Sequence, residues 1–345
     1  MKTPKAKKLP SGNWRVQLQI EGKRYSCTGA TKKDAENAAK RLYAGFQVEK
    51  KSILTVGKAI DKYIDAKEKV LSPSTVRGYK TIRKNHLQSL MDINLTELTP
   101  LDIQQAISAD QASGRSAKTI KNAHGLLSAM LKEFRPTFIS NPKLPQKKPQ
   151  EVRIFSEEEM KKVLAASKGT PYELPILLAS WLGLRQSEIK GLKFGDIQNG
   201  RLHIQRAIVK GTNGPVEKGT KTVSGDRYIK LPETIAQMIS DEYNRRFPKV
   251  NQTDYICPMS ASAIYENFIR ICEKAGVKPC RFHDLRHFAA SEAHSLGVPD
   301  KYAMRRMGHA TDNMLKTVYQ HTMRDKEDQF ADVIDEHMGE LFKQS

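Results

Sequence analysis

The feature that most constrains the fold of this chain is a proline-rich stretch at residues 140–153. It reads SNPKLPQKKPQEVR, with three prolines and no apolar periodicity. Each proline lacks a backbone N–H and disfavours a helix around it, so we predict an extended linker and a domain boundary here. With 345 residues, the chain is long enough for independent domains on both sides of this linker.

The charge of the chain points to a polyanionic partner. The formal net charge is +20 at pH 7, as expected of a protein that binds nucleic acid. The excess is uneven, because residues 1–51 hold 13 Lys or Arg against 4 Asp or Glu, a net charge of +9. We therefore predict a separate basic module at 1–51; the alternative is a solvated basic tail that aids solubility.

Several classes of protein are disfavoured by what the sequence lacks. The most apolar run, residues 174–184, is far shorter than the ~20 residues of a membrane-spanning helix, and no signal peptide is visible. The four cysteines show no CxxC spacing, so we expect a protein of the reducing cytoplasm without disulfides or zinc. Neither a P-loop nor a carboxylate cluster at metal-site spacing occurs, and we expect no nucleotide cofactor and no metal.

The basic module has the pattern of a small sheet backed by one helix. Apolar residues alternate from Trp14 to Ile20, Glu21-Gly22 forms a turn, and a second extended run follows. Thr31 can cap a helix whose buried side holds Ala35, Ala38, Ala39, Leu42 and Tyr43. A strand face of such a module can enter a DNA groove, and we predict that Lys23 and Arg24 contact DNA.

Residues 52–139 are predicted to form a compact bundle of four helices. Start signals stand at Thr55, Ser72-Pro73, Thr99-Pro100 and Ser116, each ahead of an apolar stripe. The polar faces carry cations that could track phosphates, although such charges are more often only solvated. The cations are Arg77, Lys80, Arg83, Lys84, Arg115, Lys118 and Lys121.

After the linker, a capping box at Ser156 and Glu159 opens the next domain, 154–325. Residues 174–182, including Trp181, then read as a fully buried helix. An arginine, Arg185, follows this helix directly, where a charge is costly unless it meets an anion. It could bind a substrate anion, or it could form a buried ion pair with Glu188 and have no substrate role.

Residues 202–209 and 227–231 are predicted strands, with a Lys-Gly-Thr-rich extended segment between them. A lysine on such a hairpin beside a phosphate can donate a proton to a leaving 5′ oxygen. Lys221 is the first candidate for this role. Lys218 and Lys210 are the alternatives.

Four residues within 281–321 suggest phosphate chemistry. His283 and Arg286 are three apart in a helical pattern, so they share one helix face and offer a titratable group beside a two-pronged cation. Gly308 ends a short helix before His309, and Tyr319 follows ten residues later. Tyrosine is a weak nucleophile unless neighbours take its proton and offset its charge. Taken singly, an HxxR pair is more often a surface pair, a Gly-His dipeptide is more often a turn, and a tyrosine such as Tyr319 could be a core aromatic.

The order HxxR, GH and YxH resembles the C-terminal half of tyrosine recombinases of the phage-integrase type. Two further segments share this resemblance: GLRQSE with GLKFGDI, where Phe194 stands in place of the commoner Trp, and KTVSGDR at 221–227. The resemblance implies six catalytic residues, Arg185, Lys221, His283, Arg286, His309 and Tyr319, with Glu188 steadying Arg185. It also makes 1–51 similar to an arm-site DNA-binding domain and 52–139 similar to a SAM-like core-binding domain.

The resemblance implies a multidomain α+β protein with a mainly α catalytic domain holding a small antiparallel sheet. Its partners would be double-stranded DNA attachment sites, three further copies of the chain in a homotetramer, and a host bending factor or excisionase. Two other functions are open: a non-catalytic DNA-binding regulator, and a relaxing enzyme like the type IB topoisomerases.

The last segment, 326–345, has a helical stripe of apolar residues on an otherwise acidic and polar surface. The stripe holds Phe330, Val333, Ile334, Met338, Leu341 and Phe342. A helix of this kind can dock on a neighbouring subunit or pack on its own domain.

Overall fold

The structure, a computed structural model, describes residues 5–20, 23–52, 54–146, 153–219, 225–308 and 335–336. The chain divides into two compact units, 1–147 and 148–345, and the division falls inside the proline-rich stretch. Within the described residues no helix is long and apolar enough to cross a membrane. The two units are described separately below.

The N-terminal part holds a three-stranded antiparallel sheet and one long helix. Its elements are β1 (Lys7–Lys8), β2 (Trp14–Ile20), β3 (Lys23–Gly29) and α1 (Lys32–Ser52), with strand order β1-β2-β3. Val16 and Leu18 on β2 are buried against Ala35 and Ala39 of α1. Thr31 and Asp34 bond to each other at the start of α1, as the capping pattern predicted. The short strand β1 is an addition to the predicted module.

Four helices and one 3-10 turn form the predicted bundle. They are α2 (Val56–Lys67), α3 (Pro73–Asn85), α4 (Pro100–Ala112) and α5 (Ala117–Phe134), with the 3-10 turn at Gln88–Leu90. Thr55, Thr99 and Ser116 cap their helices through side-chain oxygens, whereas the Ser72 hydroxyl lies 3.0 Å from that of Ser74 and makes no capping bond. The apolar stripes of all four helices meet in one core around Ile103.

The second unit is mostly helical and carries two small antiparallel sheets. Its helices are α6 (Glu157–Ser167), α7 (Glu173–Ser180), α8 (Gln186–Gly191), α9 (Glu233–Arg246), α10 (Ala261–Lys274), α11 (Asp284–Ser295) and α12 (Asp300–Met307). One sheet has the order β4-β5-β8, from Ile197–Gln198, Arg201–Ile204 and Arg227–Lys230. The other is a hairpin of β6 (Arg206–Gly211) and β7 (Gly214–Gly219). The prediction of a mainly helical protein with small antiparallel sheets is confirmed.

Two details of the second unit differ from the sequence prediction. The single strand predicted over 202–209 is two strands that separate at Gln205, whose side-chain nitrogen donates to Asp196 at 2.9 Å. Trp181 was predicted to be buried, but it is 47% exposed at the C-cap position of α7, whereas the next residue, Leu182, is buried. Phe194, in contrast, is buried edge-on against Tyr243, with ring centroids 5.0 Å apart.

Candidate active site

The site begins at the junction between α7 and α8. The chain turns at Gly183, whose φ of +67° is a conformation that side chains rarely adopt, and a Cβ there would lie 3.1 Å from the Met307 side chain. Arg185 then takes the N-cap position of α8. Its backbone N–H donates to Glu188 Oε2 at 3.0 Å and its Nη1 donates to Glu188 Oε1 at 2.6 Å. The tight turn thus places the Arg185 guanidinium beside the first turn of α8.

Glu188 is the buried anion of the site, and two arginines share it. Only 3% of the residue is exposed, and Arg227 Nη2 lies 2.9 Å from the oxygen that Arg185 Nη1 does not contact. Burial by itself would raise the pKa of Glu188, but the charges and hydrogen bonds of Arg227 and Arg185 outweigh it, so the pKa is lowered. Glu188 therefore stays ionised and fixes both guanidinium groups.

Arg286, on α11, is a fully buried cation with unused donors. Its exposed fraction is 0%, and its Nη1 donates to the Gly183 carbonyl at 2.5 Å. Its Nε and Nη2 have no hydrogen-bond partner among the described residues. Burial, and then the nearby charge of Arg185, lowers the pKa of Arg286 to about 9, which still leaves it charged at neutral pH. A buried cation with two guanidinium nitrogens unpartnered among the described residues is costly unless an anion binds them.

His283 lies at the N-cap position of α11, one turn before Arg286. The residue as a whole is exposed, and partial desolvation of its ring, with His287, Arg286 and Arg185 nearby, lowers the pKa of His283 to about 4. The His287 ring stands perpendicular to it with centroids 5.5 Å apart, and the His287 Nδ1 has no partner among the described residues. His283 is therefore neutral at pH 7 and able to accept a proton.

Of the predicted catalytic residues, the structure brings together Arg185, His283 and Arg286. Arg286 contacts the carbonyl of Gly183, two residues before Arg185, and Arg185 Nη2 donates to the Gly308 carbonyl at 3.0 Å. The end of α12, from which His309 continues, therefore lies at Arg185. The other three predicted catalytic residues, Lys221, His309 and Tyr319, lie outside the described residues.

Arg227, which has no role among the predicted site residues, lies at the centre of the site and binds Glu188. The sequence pattern did indicate that Arg227 is buried. Arg227 and Ile229 occupy alternate positions on β8, and the face that they share is the buried one. Strand periodicity alone therefore puts this arginine inside the domain, where it needs an acidic partner. Among the described residues there is no group of three His, Cys, Asp or Glu side chains that could hold a metal ion.

The predicted DNA-contacting cations fall into two groups. Lys80 Nζ lies 2.7 Å from Glu68, and Arg83 donates to Asp61 and to the Gly57 carbonyl, both at 3.1 Å, so these two cations already have partners within the bundle. The others whose side chains the structure describes are exposed: Arg24, Arg77, Lys84, Arg115, Lys118 and Lys121. Lys23 belongs to β3, and its side chain lies outside the described residues.

Arg185, Arg286, the neutral His283 and the buried Glu188 thus form one cluster whose remaining donors suit an anion. The phage integrase family profile matches residues 153–326, half of the chain, and includes all of this cluster. A second profile, the N-terminal SAM-like domain of phage integrases, matches residues 55–109 in the helical bundle. The chain therefore belongs to the phage integrase family, the tyrosine-type site-specific DNA recombinases.

Similar proteins agree with this assignment. The chain is 26% identical to a XerC-like tyrosine recombinase of Caldanaerobacter subterraneus over 346 residues, covering 86% of this chain and 87% of that protein. Its fold is similar to the Tn1549 transposon integrase in complex with transposon right end DNA, with a TM-score of 0.67 and 19% identity over 81% of this chain and all of the other. It is also similar to a lambda integrase tetramer bound to a Holliday junction, with a TM-score of 0.57, 18% identity and coverage of 92% and 95%.

Proposed function

We propose that this protein integrates and excises a mobile DNA element by cutting and rejoining its attachment sites through a 3′-phosphotyrosyl intermediate. The observation that carries the proposal is Arg286, which is buried beside the Arg185–Glu188–Arg227 cluster and whose Nε and Nη2 have no hydrogen-bond partner among the described residues. A scissile phosphate in this place would take up those donors and offset the cost of the buried charge. Family membership supplies the chemistry that such a phosphate would undergo.

In this reaction the Tyr319 oxygen attacks the phosphorus and forms a 3′-phosphotyrosyl bond as the bond to the 5′ oxygen breaks. Arg185 and Arg286 would contact the non-bridging oxygens and stabilise the negative charge of the transition state. His283, neutral at pH 7, would accept the Tyr319 proton, and His309 would donate a hydrogen bond to the phosphate. Lys221 would protonate the leaving oxygen, with Lys218 and Lys210 as the alternatives. Attack by a 5′-hydroxyl of the partner strand reverses these steps and rejoins the DNA.

The proposed division of labour follows the predicted domains. The core site would be bound by the two domains that the 140–153 linker connects, 52–139 and 154–325. The basic module, 1–51, would bind the arm sites. Four copies would assemble on paired sites, as the lambda integrase tetramer does on its Holliday junction. The 326–345 segment would dock on a neighbouring copy, and a host bending factor or excisionase would set the direction of the reaction.

The two other functions considered from the sequence are less well supported. A non-catalytic regulator would need no nucleophile, whereas the sequence supplies Tyr319 together with the cations of the family motif. A relaxing enzyme would not need the separate basic module at 1–51, which carries a net charge of +9. The similar proteins bear the names recombinase and integrase.

Trapping of the covalent intermediate tests the proposal. The protein is incubated with a nicked duplex carrying the candidate attachment core, from which the short fragment beside the nick diffuses away after cleavage. We expect the wild type to form a protein–DNA adduct and the Tyr319→Phe variant to bind the duplex without forming one. Tyr302→Phe is the matched control, because Tyr302 is 66% exposed on α12 and should be dispensable. Adduct formation by Tyr319→Phe would refute the assignment of the nucleophile.

A further inference from the structure

Arg227 is buried in a different way from Arg286. It is 7% exposed at the start of β8, and each of its three guanidinium nitrogens has a hydrogen-bond acceptor. Four of its five N–H donors are therefore already used, so it is not built to receive a phosphate with a two-pronged fork. Its charge instead serves the protein's own anion, Glu188.

The contacts of Arg227 reach three separate segments of the catalytic unit. Nη2 and Nη1 donate to the two oxygens of Glu188 on α8, at 2.9 and 3.4 Å. Nη1 also donates to the Gly225 carbonyl at 3.1 Å, just after the 220–224 segment that contains Lys221. Nε donates to the Arg306 carbonyl at 2.8 Å, in the last turn of α12. One side chain thus joins α8, the residues just before β8 and the last turn of α12.

Two arginines bind backbone carbonyls at the end of α12. Arg227 binds the carbonyl of Arg306 and Arg185 binds the carbonyl of Gly308, and both arginines are held by Glu188. Helix C-terminal carbonyls lack partners within the helix, so two cations there satisfy open acceptors and favour the negative end of the helix dipole. Gly308, with φ of +66°, then directs the chain toward His309. The orientation of Arg185 and the exit of α12 therefore depend on the same carboxylate.

We infer that Arg227 is a positioning residue for recombination: through Glu188 it orients Arg185, and through the Arg306 carbonyl it fixes the end of α12. The inference rests on the proposed function, because it assigns Arg185 to the phosphate. Lysine at position 227 would keep the charge but could not contact both Glu188 oxygens and the Arg306 carbonyl from one planar group. The Arg185 guanidinium and the α12 exit would then lose a shared support without losing a ligand to the phosphate.

The test uses the full-length protein and the variants Arg227→Lys and Arg246→Lys. Arg246, the last residue of α9, is the matched control. It also binds a carboxylate, that of Glu242, and two backbone carbonyls, those of Tyr255 and Ile256. The single-turnover rate of adduct formation is measured on the nicked core duplex at saturating protein. We expect Arg227→Lys to lower this rate about 100-fold, as for a displaced reacting group, with unchanged affinity for the duplex. Arg246→Lys should keep the wild-type rate.

Two further measurements separate positioning from a general loss of structure. Hydrogen exchange of the peptide covering 300–308 should accelerate in Arg227→Lys and not in Arg246→Lys, and this result does not depend on catalysis. In an Arg185→Lys background, Arg227→Lys should cost less than it costs in the wild type, since part of its effect passes through Arg185. Unchanged exchange at 300–308, a wild-type adduct rate, or fully additive losses would each overturn the inference. Failure of the wild type to form any adduct would instead count against the proposed function.

Discussion

Two arginines, one in the helical bundle and one in the catalytic unit, differ in how the protein satisfies their positive charge. Arg83 on α3 is partly exposed, and it bonds with Asp61 and the Gly57 carbonyl, so the bundle itself satisfies it. Arg286 on α11 is 0% exposed, and one backbone carbonyl satisfies one of its nitrogens. The bundle thus uses its arginine to join two helices, whereas the catalytic unit holds a cation ready for a ligand.

The same contrast extends to the surroundings of each site. The bundle core is apolar around Ile103 and Ile107, and a buried polar residue of the bundle, His86, lies 3.3 Å from Asp110. The catalytic centre instead places Glu188, Arg227 and Arg286 inside the domain. Such an arrangement costs desolvation free energy, which the Glu188 ion pairs offset only in part. The catalytic unit therefore gives up stability at the place where the proposed reaction occurs.

The largest expected effect comes from replacing Arg286 by lysine, and Arg83→Lys is the comparison. Arg286→Lys should lower the rate of adduct formation by about 10²–10³-fold, the range seen when one preorganised transition-state donor is lost. A point-charge ammonium cannot present two parallel N–H groups to two phosphate oxygens. Arg83→Lys should leave the rate unchanged, since its contacts are with Asp61 and Gly57. Equal losses in both variants, measured in the same single-turnover assay, would remove the distinction between the two regions.

A smaller effect is expected from pH. The pKa of His283 is lowered to about 4 and that of His287 is also lowered, in both cases first by burial. In the unfolded chain a histidine has a pKa near about 6.5, so between these values the unfolded state binds more protons than the folded one. The part of the folding free energy that depends on these neutral histidines should therefore be fully present above about pH 6.5 and decline as pH falls toward 4.

Thermal unfolding at pH 7 and pH 5 measures this effect. We expect the wild type to lose more stability than His283→Gln between the two values, because the variant has one fewer group that protonates on unfolding. If both proteins showed the same loss, His283 would not be desolvated in the folded state. The comparison also tests the neutral imidazole that the proposed role of His283 requires.

The sequence predicted the bundle well because its signals are local. Thr55, Thr99 and Ser116 each precede an apolar stripe, and capping and helical spacing both depend on residues a few positions apart. Strand β1 was missed because it consists of two lysines, Lys7 and Lys8, and is defined by its pairing with β2. Pairing of this kind leaves no periodic pattern in so short a segment.

The catalytic unit was predicted in its motifs but not in its connections. The Arg185–Glu188 pair lies within one turn and was foreseen as one of two alternatives; the structure adds that Glu188 also binds Arg227, 39 residues away. Contacts over such a distance depend on how α8 and β8 pack, which no local pattern determines. The exposure of Trp181 has the same origin, since it depends on which neighbours cover the end of α7.

The smallest expected effect separates paired from unpaired cations within the bundle itself. Lys118 on α5 is exposed and has no ion pair among the described residues, whereas Lys80 lies 2.7 Å from Glu68. If Lys118 contacts a phosphate, Lys118→Gln should weaken binding of the core duplex and reduce the slope of log affinity against log salt by about 1. Lys80→Gln should change the slope less, because Glu68 already neutralises that charge in the free protein. The measurement is a titration of each variant with labelled duplex at several salt concentrations. Equal slopes for the wild type and both variants would show that these charges are solvated in the complex, and the DNA contact would have to be sought on another face of the bundle.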